Sequence, residues 1–175
     1  AASDVYKRQI FIIGVGIVMW VLFGYSLSFA PSGNAFIGDF RWLGLEGVSL
    51  TEGYTDDASI PNMVFSAFQM MFAVITPALI TGAVAGRMKF KSIFVFTIFW
   101  SLIVYYPLAH MVWGQGGLLG ADGIGALDFA GGDVVHISSG VSALVLCILL
   151  GKRHDYEHSI YRIHNIPTVV LGASL

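Results

Sequence analysis

Four apolar stretches, residues 10–30, 63–85, 90–113 and 134–150, constrain this chain more than any other feature. Crossing a hydrocarbon core of about 30 Å takes roughly 20 helical residues. The first three stretches meet that length. The fourth is shorter, so part of its entry is expected to be lined by protein. A fifth stretch starts at Ile166 and runs to Leu175. Backbone amides in lipid must bond within their own segment, which leaves helices as the economical solution. The expected fold class is therefore an all-α polytopic membrane protein. The chain is 56% hydrophobic and 11% charged, a balance that no soluble domain of this size needs. A net charge of -2 gives no footprint for nucleic acid. The stretches repeat and lack a small-residue cleavage pattern, so none reads as a signal peptide. The single Cys147 allows no internal disulfide and has no metal-site spacing.

Basic residues set the orientation. Lys7 and Arg8 precede the first stretch. Arg87, Lys89 and Lys91 lie between the second and third, and Lys152, Arg153 and Arg162 follow the fourth. Eight of the nine basic residues thus fall on one side, which is assigned as cytoplasmic. Arg41 is on the other side, diluted by Asp39, Glu46, Glu52, Asp56 and Asp57. The loops 31–61 and 114–127 are then external. The first is long enough to fold over a surface or a pore mouth. Its Gly44, Gly47 and Gly53 suggest turns, and Pro61 suits the first turn of the following helix. Residues 1–9 are polar and read as a tail. Polar groups inside the spans need covering helices. Either the chain oligomerises tightly or it is a piece of a longer protein.

The spans carry several groups with chemistry. Phe68 and Phe72 are four apart and share a helix face. They read either as a gate or cation-π surface, or as ordinary packing. Gln69 is expected to bond a neighbouring helix. Pro77, after Thr76, is expected to kink its span and free a carbonyl near Ala73. Trp113 reads as an interfacial belt residue or as one wall of an aromatic box for a cation. His110 and His136 as joint haem ligands is a weaker reading than a hydrogen-bonded structural His110. Asp128 and Asp133 stand at the start of a helix, where capping is the plain reading. A capping acid also shapes the field felt by a nearby cation. His136 reads equally as a headgroup-level residue or as a neutral imidazole facing a pore.

Three strings carry a resemblance: Phe68-Gln69-Met70-Met71-Phe72-Ala73, Ala109-His110-Met111-Val112-Trp113-Gly114, and Leu127-Asp128-Phe129-Ala130-Gly131-Gly132-Asp133-Val134-Val135-His136-Ile137. Together with Gly24-Tyr25-Ser26-Leu27 and His164-Asn165-Ile166-Pro167, in that family's order, they are similar to the ammonium transporter family (Amt/Mep/Rh). The resemblance covers about residues 10–175 and leaves out the first nine. It implies part of an eleven-helix ammonium transporter fold with inverted five-helix repeats, here helices two to five and the start of six. It also implies a homotrimer in the cell membrane, plasma or bacterial inner, with one pore per subunit. By position, Phe72 and Trp113 would line an outer ammonium recruitment site, with Phe68 beside it. Phe72 would be half of a phenylalanine gate. Asp128 would be the buried acid near that site, and His136 the first of two pore histidines.

The implied function is transport of ammonium or ammonia, with neither cofactor nor catalytic residue, and with a PII-type regulatory protein as a cytoplasmic partner. The chemistry is coherent. Potassium resembles ammonium in charge and size, but ammonium can give up its proton. An apolar pore rejects intact cations by desolvation and passes the neutral ammonia. Three other readings stand beside it. They are an ammonium sensor of the same fold, a haem-binding membrane oxidoreductase, and a purely structural bundle.

Overall fold

The computed structural model describes residues 2–31, 34–121, 123–153, 156 and 165–174. The first span begins with helix α1 (Ala2–Met19), passes through a π-helical stretch (Trp20–Gly24) and ends in α2 (Tyr25–Phe29). Helix α3 (Asn62–Val84) is the second span. The third runs from α4 (Phe90–Trp100) through a π-helical stretch (Ser101–Tyr105) to α5 (Tyr106–Trp113). The fourth opens with a π-helical stretch (Gly132–Ile137) and continues as α6 (Ser138–Leu150). Helix α7 (Ile166–Ser174) follows, its first turn capped where Asn165 Oδ1 accepts from the Thr168 N–H at 3.0 Å. Among the described residues four helices, Tyr6–Phe29, Asn62–Val84, Phe90–Trp113 and Gly132–Leu150, are long and apolar enough to cross a membrane.

Sequence and structure agree on the third span to the residue, and on the others to within a few residues. The differences have local causes. The expected polar tail is helical from Ala2. Arg8 is buried there, and its guanidinium donates to the Met88 carbonyl at 3.0 Å, pinning the start of α1 to the α3–α4 turn. Pro61 sits just before α3 rather than in its first turn. Helix α3 continues through Pro77 without a break, and Thr76 Oγ1 donates to the Phe72 carbonyl at 2.5 Å one turn earlier. Gln69 is 7% exposed, yet its Oε1 has no hydrogen-bond partner among the described residues. The expected bond to a neighbouring helix is therefore not made by that oxygen. The hydroxyls on nearby spans are occupied locally: Thr97, Ser138, Ser139 and Ser142 each donate to the carbonyl four residues back.

An aromatic core holds together the halves of the spans that lead into the loops 31–61 and 114–127, the end that the basic residues assign as outer. Trp20, Tyr25, Phe29, Tyr105 and Tyr106 are almost fully enclosed. The Trp20 indole N–H donates to the Ser66 carbonyl at 3.1 Å, tying the π-helical stretch of the first span to α3. Burying rings of this size contributes on the order of 2 kcal/mol each.

The long loop is a folded cap. Trp42 stacks on Tyr25, with centroids 5.5 Å apart, and Tyr54 stacks on Phe65 at 4.9 Å. Ser26 Oγ donates to the Asp39 carbonyl at 2.7 Å and accepts from the Trp42 N–H at 3.0 Å. Gly44 and Gly47 turn the chain with φ of 66° and 77°. The loop therefore covers the outer ends of α2 and α3, as its length suggests.

Candidate functional site at the outer end of the bundle

Helices α3 and α5 bring Phe72 and Trp113 together. Their ring centroids are 5.8 Å apart, tilted by 55°. Phe68 meets Phe72 edge to face at 5.1 Å, as the four-residue spacing requires. Phe68 is 54% exposed, whereas Phe72 and Trp113 are half-buried. The three rings form a ladder from an exposed flank toward the interior.

Trp113 also lines a cavity of about 350 Å³ at the outer end of α5. Tyr54, Gly114, Gln115, Asp128 and Phe129 line it too. A neighbouring cavity of about 590 Å³ shares Tyr54, Thr55 and Gln115 and is edged by Glu52, Asp56 and Asp57. An acid-lined approach of this kind raises the local concentration of cations.

Asp128 is the hinge between this cavity and the fourth span. Its carboxylate accepts from the backbone N–H groups of Gly132 at 2.7 Å, Asp133 at 2.9 Å and Val134 at 3.0 Å. These are amides that the first turn of a helix leaves unpaired. Gly131 makes the approach possible: its φ of 82° turns the chain back so that the following N–H groups converge on the carboxylate. Partial burial pushes the Asp128 carboxyl up. The N–H groups of Val134, Asp133, Gly132 and Gly131 outweigh that and hold it below the usual carboxylate range. Of the two acids read as caps, Asp128 does take free amides, four to six residues on and from ahead of the N-cap position at Gly131, whereas Asp133 lies inside the helical stretch and is itself capped.

Among the residues that sequence reasoning missed, Tyr54 matters most. Its hydroxyl donates to the Phe29 carbonyl at 3.0 Å and accepts from the Gln115 N–H at 3.1 Å. Gln115 Nε2 returns a bond to the Tyr54 carbonyl at 3.0 Å. Burial pushes the Tyr54 phenol up to about 12, so it stays a neutral donor in this bridge. Its only sequence signal is an aromatic residue within a loop otherwise rich in Gly, Asp and Ser.

His136 is in the π-helical opening of the fourth span and is exposed. Val134, Val135, Ser138 and Ser139 face the bundle, while His136, Ile137, Gly140 and Val141 lie on the opposite, uncovered side. His110 is enclosed and bonded to carbonyl oxygens of the first span and its loop. The two histidines do not converge on a shared ligand site, and no group of three or more metal-type ligands occurs among the described residues. The structure thus joins Phe68, Phe72, Trp113 and Asp128 in one outer assembly and leaves His136 apart on the open face. His164, part of the fifth similar string, lies outside the described residues.

The model of the Ammonium Transporter Family matches residues 4–175. An ammonium transporter of Bacillus subtilis is 52% identical over 163 residues, covering 93% of this chain and 39% of that protein. Ammonium transporter 1 of Dictyostelium discoideum is 44% identical, covering 90% of this chain and 34% of its own length. The crystal structure of Candida albicans Mep2 superposes with a TM-score of 0.78 at 35% identity, over 94% of this chain and 36% of that one. The chain therefore spans between a third and two fifths of the length of these relatives.

Proposed function

This chain belongs to the Ammonium Transporter Family, and on that premise we propose that the protein it comes from conducts ammonium or ammonia across a membrane. The observation that carries the reading is the Phe72–Trp113 pair, with Trp113 on the wall of the outer cavity and Phe72 behind it toward the span interior. Each π face attracts a cation by about 0.5–2 kcal/mol, too little to replace full hydration. Acceptors must supply the rest, and the acid-lined approach supplies local concentration. Ammonium recruited at Trp113 gives its proton to water in the outer cavity, and the ammonia formed passes Phe72 and continues inward. His136 hydrogen-bonds the neutral molecule on the open face of the fourth span. Phe68 supports Phe72, and Asp128 sets the field of the site and holds the end of the fourth span.

The uncovered side of α6 is where further helices of the longer protein complete the pore. The whole protein is read as a homotrimer in the cell membrane, with one pore per subunit and a PII-type protein as cytoplasmic regulator. Its work is transport, with proton loss as the one change in the substrate. No specific observation favours a sensor over a transporter.

The test uses the full-length protein in proteoliposomes, measuring ammonium-driven current and internal pH. Saturable ammonium flux that excludes potassium supports the reading. Equal permeation of potassium, or no flux from intact assembled protein, overturns it.

A further inference from the structure

His110 has no place in the path just described, yet it is the most enclosed imidazole among the described residues, at 0% exposure. Its Nδ1 lies 3.1 Å from the Ser28 carbonyl oxygen, and its Nε2 lies 2.8 Å from the Asn34 carbonyl oxygen. Ser28 is in α2, and Asn34 is in the loop that follows. Carbonyl oxygens only accept, so the ring acts as donor from whichever nitrogen carries its hydrogen. One side chain therefore bridges α5, the outer end of the first span and the rim loop. That loop is held again next door, where the Leu118 N–H donates to the Ala35 carbonyl at 3.0 Å.

Gly114 connects this bridge to the cavity. A Cβ at Gly114 would lie 2.6 Å from His110 Nδ1 and 3.0 Å from the Ser28 oxygen. The Gly114 backbone thus rests directly on the ring and its acceptor. Its N–H also donates to the His110 carbonyl at 2.9 Å. Gly114 lines the cavity and follows Trp113 in the chain. The imidazole and the Trp113–Gly114 wall are therefore in direct contact.

We propose that His110 is a positioning residue for the outer site: seated between the Ser28 and Asn34 carbonyls and donating to one of them, it fixes the wall that presents the Trp113 ring to the incoming cation. The effect on transport rests on the reading that ammonium is recruited at Trp113. The effect on the wall does not.

Two readouts on the full-length protein separate them. The first is the concentration dependence of ammonium flux in proteoliposomes, with assembly checked by size exclusion. His110→Leu removes the ring's donor and raises the half-saturating concentration about tenfold, the scale of one lost hydrogen bond, with maximal flux kept within about twofold. His110→Gln, whose amide carries two N–H donors, restores most of the loss. In a Trp113→Leu background His110→Leu adds little, because the wall it places has lost its ring. A fully additive double mutant, or a fall in maximal flux at unchanged half-saturation, overturns the proposal.

The second readout is the Trp113 indole N–H resonance in tryptophan-labelled protein, assigned by its loss in Trp113→Leu. His110→Leu shifts or broadens it without any ammonium present. If His110→Leu fails to fold, Gly114→Ala presses on the ring from the other side and shifts the same signal. An unmoved resonance in the variant that folds overturns the positioning role whatever the flux shows. Wild-type half-saturation and selectivity in Trp113→Leu would instead overturn the recruitment reading, leaving the resonance to decide His110.

Discussion

Trp113 and Asp128 are joined through the backbone of one and the side chain of the other: the indole N–H donates to the Asp128 carbonyl oxygen at 2.9 Å. The Asp128 carboxylate meanwhile takes the first free amides of the fourth span. A single residue thus connects the aromatic wall of the outer cavity to the helix that carries His136. Changes at either end should be felt at the other.

Trp113→Phe separates the two roles of this side chain. It keeps a π face near Phe72 but deletes the indole N–H, leaving the Asp128 carbonyl without its donor. Lost hydrogen bonds of this kind cost about 1 kcal/mol. The variant should keep discrimination against potassium while its ammonium affinity falls a few-fold. Trp113→Leu should lose discrimination as well. Flux of ammonium against potassium in proteoliposomes checks both, and wild-type behaviour in both would return Trp113 to a packing role.

Asp128 predicts an acid limit. Its carboxyl is held below the usual carboxylate range in the folded state, so the folded state binds fewer protons at that group than the unfolded one. The stabilisation is complete above the unfolded value, near 4, and is lost as pH falls through the lower folded value. Asp128→Asn should lower thermal stability at neutral pH by about 1 kcal/mol, since part of the interaction is screened by solvent. The gap between wild type and variant should close as pH drops below about 4. Thermal melts of detergent-solubilised full-length protein over pH 3–7 measure it. A gap that stays constant with pH would contradict the cap.

Much of this was legible in the chain because hydrophobic length and motif spacing are local properties. The spans follow from the apolar stretches, and the Phe68–Phe72 contact follows from helical periodicity. The resemblance puts Phe72 and Trp113 at one site, but spacing alone does not join residues of α3 and α5, and it is packing that brings their rings to 5.8 Å. The π-helical stretches at Trp20–Gly24, Ser101–Tyr105 and Gly132–Ile137 left no trace in the pattern. His110 reads correctly as a hydrogen-bonded structural histidine, but which groups it meets was hidden for a simpler reason. Its partners are backbone carbonyls 82 and 76 residues away, and every residue type offers the same carbonyl.

The long loop should behave as part of the site rather than as a passive cover. Tyr54→Phe deletes the hydroxyl that links the Phe29 carbonyl to the Gln115 N–H. The ring still stacks on Phe65, so the loop stays folded. Ammonium affinity should drop a few-fold, with little change in melting temperature, because about two hydrogen bonds of roughly 1 kcal/mol are partly replaced by water. Unchanged affinity would limit the bridge to loop packing.

Orientation is testable without any transport assay. The basic residues predict that the loops 31–61 and 114–127 are external. Ser49→Cys and Ala121→Cys, in a Cys147→Ser background of the full-length protein with its other cysteines removed, should react with an impermeant maleimide on intact cells. Labelling only after permeabilisation would invert the topology.

His136 distinguishes a pore from a bundle. It sits on the side of the fourth span that this chain leaves open, while Val134, Val135, Ser138 and Ser139 fill the side that packs. If the open side lines a dry path completed by further helices, the imidazole offers both a donor and an acceptor to a passing ammonia. His136→Ala should then lower ammonium flux by at least about tenfold, the scale set by removing a hydrogen-bonding partner from a desolvated site. Assembly should survive, because the side chain supports none of the packing described here. His136→Asp should retain some flux with poorer selectivity, since a carboxylate accepts a proton but also attracts intact cations. Current, flux and size exclusion on the full-length variants give the answer together. Wild-type flux and selectivity in His136→Ala would place the ring among the lipid headgroups, away from the path.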